Sequence, residues 1–96
     1  MFEMPQPERP ENEPRNLREK RLAMRSMRRG IKEMDLILSA YAADRLAAMD
    51  EATLDLYDDL LNENDHDLYQ WVTRQFDPKP EYSEMIKDIQ GHISKG

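Results

Sequence analysis

The stretch Ile31-Lys32-Glu33-Met34-Asp35-Leu36-Ile37-Leu38-Ser39-Ala40-Tyr41 decides the fold class. Ile31, Met34, Ile37, Leu38 and Tyr41 recur at the three- and four-residue spacing of a helix with one apolar face. This is the clearest amphipathic helix of the chain, and it is expected to anchor the core. Immediately before it, Gly30 interrupts a basic segment and reads as the left-handed residue that closes one helix and opens the next.

Working outward, Asn16 is expected to cap a first helix through Leu17, Met24 and Met27, with Arg18, Arg21, Arg25 and Arg28 forming a basic face. On the other side, 42–49 reads as a short helical turn, and Asp50 as the cap of a helix carrying Leu54, Tyr57, Leu60 and Leu61. A break over 62–64 precedes a helix capped by Asp65 or Asp67, with Leu68, Trp71, Val72 and Phe76 on one stripe. Pro78 and Pro80 make a rigid connector, and Tyr82, Ile86, Ile89 and Ile93 mark a last helix. No alternation of β-branched residues argues for a strand. The expectation is an all-α fold: a single small bundle of about five helices over 15–96, after a disordered Pro/Glu-rich tail over 1–14.

Composition narrows the chemistry. With 96 residues and no cysteine, thiolate catalysis, disulfides and iron–sulfur ligation are excluded, and a deep catalytic cleft is improbable. His66 and His92 are too far apart for a standard ligand pair, so no metal is expected. A metal-dependent enzyme built on Asp58, Asp59, Asp65 and Asp67 would lack a nucleophile and a matched base. No apolar run reaches membrane-spanning length. Residues 1–14 hold four Pro and four Glu and no apolar or Arg-rich leader pattern, so a bacterial cytoplasmic location is expected, or the mitochondrial matrix for a processed form.

The net charge of −6 conceals two blocks, about +6 over 15–29 and about −9 over 32–96. The basic face supports one rival reading, an antitoxin-like or nucleic-acid-associated regulatory protein. An acidic protein surface suits it better than nucleic acid, because the remainder of the chain would repel phosphates.

Arg28-Arg29-Gly30-Ile31-Lys32-Glu33-Met34-Asp35 contains the pattern Arg-Gly-x-x-Glu, and Asp65-His66-Asp67-Leu68-Tyr69-Gln70-Trp71 follows at a fitting distance. Together they resemble the succinate dehydrogenase assembly factor 2 family, the FAD assembly factors or flavinators, over roughly residues 22–90. Two positions depart from that pattern: His66 stands where the family often has Pro, and Asn64 where it often has Asp. The resemblance implies a non-enzymatic assembly factor, a monomer when free, that binds the flavoprotein subunit of succinate dehydrogenase while FAD becomes attached to a histidine of that subunit. Fumarate reductase is a second candidate partner. FAD is then held by the partner, and no cofactor is bound stably by this chain.

Arg29 is expected to offer its planar fork to the partner, the alternative being an ion pair with Glu33 one turn on. Gly30 would let the backbone approach closely, Glu33 would supply a carboxylate, and Ile31 an apolar anchor. Arg28 and Asp35 flank them as secondary candidates. Trp71 lies on the apolar stripe and reads as core.

Overall fold

A computed structural model describes residues 13–95, except for the side chains of 94 and 95. Five helices follow in order: α1 (Arg15–Arg25), α2 (Lys32–Arg45), α3 (Glu51–Leu60), α4 (Asp65–Val72) and α5 (Ser83–Lys95). Short 3-10 turns at Leu46–Ala48 and Pro80–Tyr82 lead into the connections. No strand occurs among the described residues. Of the tail expected over 1–14, residues 1–12 lie outside the described part.

The bundle assembles around α2, which packs against α1, α4 and α5. Its buried residues Met34, Leu38, Tyr41 and Ala42 occupy the face that the three- and four-residue spacing marks. They meet Leu54, Tyr57, Leu60 and Leu61 from α3 and its end, Leu68, Trp71 and Val72 from α4, and Ile86 and Ile89 from α5. Trp71 stacks obliquely on Tyr82, ring centroids 6.3 Å apart, and is buried, as its place on the stripe predicts.

Local chemistry sets the helix ends. Asp50 caps α3 by accepting from the Thr53 amide at 2.8 Å, as expected. Asn64, rather than Asp65 or Asp67, caps α4, its side-chain oxygen accepting from the His66 amide at 2.8 Å. The carboxylate of Asp65 is committed elsewhere, as described below. α4 ends in a Schellman turn: the Gln75 amide donates to the Gln70 carbonyl at 2.8 Å, and Arg74 adopts a left-handed φ of 66°. Because the helix stops at Val72, Phe76 leaves the stripe on which it was expected and is exposed.

α1 departs most from expectation. It starts at Arg15 behind Pro14, so Asn16 is a helix residue and makes no cap. Leu17, Met24 and Met27 all face outward, 51%, 63% and 49% exposed, and Leu22 alone of the helix is buried. The inward side is the arginine side. Arg15 and Arg18 meet Glu51 at 2.8 and 2.6 Å, Arg18 meets Asp55 at 3.2 Å, and Arg21 meets Asp58 at 2.9 Å. Arg25 also pairs with Asp58, which is buried, and donates to Asn62 at 2.6 Å.

These arginines recur every three or four residues against α3 carboxylates at the same spacing, so the two stripes register like rungs. Buried pairs of this kind are held by geometry and hydrogen bonding that offset lost hydration, whereas exposed ones contribute little. Glu13, expected within a disordered tail, joins the ladder through Arg21 at 2.8 Å. The hydrogen bond from Arg21 holds its carboxyl below the ordinary value of 4.5.

Candidate functional site

Between α1 and α2 the chain reverses within six residues. α1 ends at Arg25, Ser26 turns inward, and Arg28 takes a left-handed φ of 55°. Gly30 does not have a positive φ, so the left-handed role expected of it falls to Arg28 instead. Glycine suits position 30 for a different reason. Its amide donates to Asp65 Oδ2 at 2.5 Å, and a β-carbon there would lie 3.1 Å from that same oxygen.

Asp65 is also the partner of Arg29. Its Oδ1 accepts from Arg29 Nε at 2.8 Å and lies 2.7 Å from Nη2. The other donors of the fork reach the Arg25 carbonyl at the end of α1, at 3.0 Å, and the Leu61 carbonyl just beyond α3, at 3.2 Å. The Arg29 side chain is only 12% exposed. The fork expected to reach a partner is therefore engaged within the molecule, and the pairing of Arg29 with Glu33 does not form.

The remaining expected residues divide. Arg28 and Glu33 are exposed, and neither side chain has a hydrogen bond or ion pair among the described residues. Ile31 is half-buried against the core margin as the residue preceding α2. Asp35 is half-buried and accepts from Ser39 Oγ at 3.2 Å, within its own helix.

The six residues do not share one surface. Arg28, Arg29 and Gly30 line a shallow depression with Asn62, Glu63 and Asp65. Glu33 lines a separate apolar groove between α2, α4 and α5, together with Leu36, Ile37, Tyr69 and Ile93. Reading the sequence missed Asp65 as part of this corner. The available signal was the matched spacing of arginines 15–29 and acids 51–65, which extends the ladder of α1 and α3 by one more rung to the start of α4.

No group of three or more His, Cys, Asp or Glu side chains is placed to hold a metal among the described residues, and Asp58 and Asp65 are both engaged by arginines. Likewise, no helix among them is long and apolar enough to cross a membrane.

The fold and its corner define a small all-α protein in which a clamped glycine lies between Arg28 and Glu33, charges of opposite sign that are unpaired among the described residues. The chain belongs to the family described as flavinator of succinate dehydrogenase, whose model matches residues 20–93. It is 43% identical over 84 residues to succinate dehydrogenase assembly factor 2, mitochondrial, of Saccharomyces cerevisiae (strain YJM789), covering 82% of this chain and 52% of that protein. The protein of the same name from Candida glabrata is 45% identical over 84 residues, 82% of this chain and 55% of its own length. That of Drosophila grimshawi is 38% identical over 91 residues, with shares of 91% and 62%. The chain thus spans little more than half the length of these relatives.

Proposed function

We propose that this chain binds the flavoprotein subunit of succinate dehydrogenase through the Gly30 corner and promotes covalent attachment of FAD to a histidine of that subunit, making no bond itself. The observation that carries this reading is the coincidence of family and geometry. The matched segment contains a clamped corner bearing Arg28, with Glu33 in the neighbouring groove at the start of α2, and neither charge is paired among the described residues. Unpaired charges on a preorganised backbone lose little freedom when a partner engages them, which favours recognition.

FAD belongs to the partner in this reading, and this chain contributes orientation. Arg28 is the cation offered to the client, Glu33 the carboxylate, and the Gly30 backbone the point of close approach. The names of the relatives place those proteins in mitochondria, which favours the mitochondrial matrix over the bacterial cytoplasm for this chain. The rival nucleic-acid reading loses its support, because Arg15, Arg18, Arg21 and Arg25 are paired with carboxylates.

The test is coexpression of the flavoprotein subunit with the wild-type chain, with Gly30→Arg, with Glu33→Ala, or with no factor, followed by flavin fluorescence on a denaturing gel. The wild-type chain is expected to raise covalent flavin, and both variants to fall toward the level without factor. Equal fluorescence in all four samples overturns the proposal. Repeating the four arms with the fumarate reductase flavoprotein decides whether it is a second client.

A further inference from the structure

Asp65 stands in the first turn of α4, and each of its carboxylate oxygens is used by the corner between α1 and α2. Oδ1 receives Nε and Nη2 of Arg29, and Oδ2 receives the amide of Gly30. Through Arg29 the same carboxylate is linked to the carbonyls that end α1 and follow α3. One acidic side chain therefore links the ends of α1 and α3, the start of α4 and the turn before α2, through two of the four residues that lie between Arg28 and Glu33.

We propose that Asp65 is a positioning residue for partner docking: with Arg29 it fixes the Arg29–Gly30 peptide and thereby the directions in which Arg28 and Glu33 are presented. This rests on the docking reading given above, and it deepens it by assigning Arg29 to the frame and leaving Arg28 as the cation that meets the partner. The chemistry demands a carboxylate at position 65. Both of its oxygens face donors, so an amide of the same shape would set its own NH2 against either the Arg29 fork or the Gly30 amide. A carboxylate accepting from a guanidinium and a backbone amide together makes charge-assisted bonds stronger than neutral ones. A bare Gly30 suits this arrangement, because a β-carbon would lie 3.1 Å from Oδ2 while Arg29 holds Oδ1, so the carboxylate would have to shift to admit it.

The experiment compares the wild-type chain, Asp65→Asn, the pair Arg28→Ala with Glu33→Gln, and all three substitutions together. Affinity for the purified flavoprotein subunit is measured alongside amide exchange of Gly30. Asp65→Asn is expected to weaken binding about tenfold and to speed exchange at Gly30, while amides in the middle of α2 and α4 keep their protection. A double-mutant cycle then separates positioning from general destabilisation. In the background lacking the Arg28 and Glu33 charges, the further loss caused by Asp65→Asn is expected to shrink to about twofold or less.

A full tenfold loss in that background, or wild-type affinity for Asp65→Asn, overturns the assignment while the docking reading stands. Failure of the wild-type chain to bind the subunit overturns the docking reading itself.

Discussion

The hydroxyls of Ser26 and Tyr57 lie 2.5 Å apart, both buried, where the end of α1 meets the middle of α3. Ser26 also donates to the Leu22 carbonyl at 2.8 Å, so its oxygen serves Tyr57 as acceptor. Removing the two partners is therefore unequal. Tyr57→Phe leaves Ser26 bonded to Leu22 and is expected to cost about 1 kcal/mol, whereas Ser26→Ala strands a buried phenol and costs about 1–3 kcal/mol. Urea unfolding of the two variants should rank them in that order.

Leu22 is the one fully buried residue of α1, with Ala23 at the core margin, so Leu22→Ala is expected to cost about 2–5 kcal/mol, the ordinary loss on truncating a buried leucine. Met24→Ala, two residues on but facing outward, should stay within about 0.5 kcal/mol of the wild-type chain. Chemical denaturation of both variants checks the inverted orientation of the helix directly.

Arg28 and Arg74 both hold left-handed backbone that glycine adopts without a steric penalty. Each Arg→Gly change is expected to raise stability by about 0.5–1 kcal/mol. Their effects on the flavoprotein partner should diverge: Arg28→Gly removes the docking cation and weakens binding, while Arg74→Gly, in the groove beside Glu33 but with no proposed docking role of its own, weakens it less. Melting temperatures and affinities measured together test this opposition of stability and recognition.

Burial pushes the Tyr57 hydroxyl from its ordinary 10.0 up to about 12, and raises Tyr41 and Tyr82 in the same direction. Because the folded values lie above the unfolded ones, the stabilisation is complete below pH 10 and is lost as pH climbs through the folded values. Unfolding midpoints should be insensitive to these tyrosines between pH 7 and 9 and fall steeply above 10. The fall should be shallower in Tyr57→Phe.

The core positions of α2, α3 and α5 were legible in sequence because their spacing is set by one buried face each, although Ile93 near the end of α5 is 40% exposed. Asp50 was legible as a cap because it stands immediately before such a face. α1 departs for a physical reason: with one fully buried residue, its pattern of Leu17 and Met24, continued by Met27, marks the outer side, and the inner side is written largely in arginines. Gly30 reads as special in sequence, but its close neighbour, Asp65, lies 35 positions away, beyond the reach of any local rule. The engagement of Arg29 was illegible for the same reason, since nothing near it in sequence shows which carboxylate takes its fork.

The rungs between α1 and α3 join residues 33–37 positions apart. During synthesis α1 leaves the ribosome well before its counter-charges. Its eleven residues, crowded with arginines, are fewer than an isolated helix needs to persist in water. This helix is therefore secured late, when α3 arrives. A nascent chain halted before residue 51 would expose an unmatched basic segment, open to any acidic surface nearby.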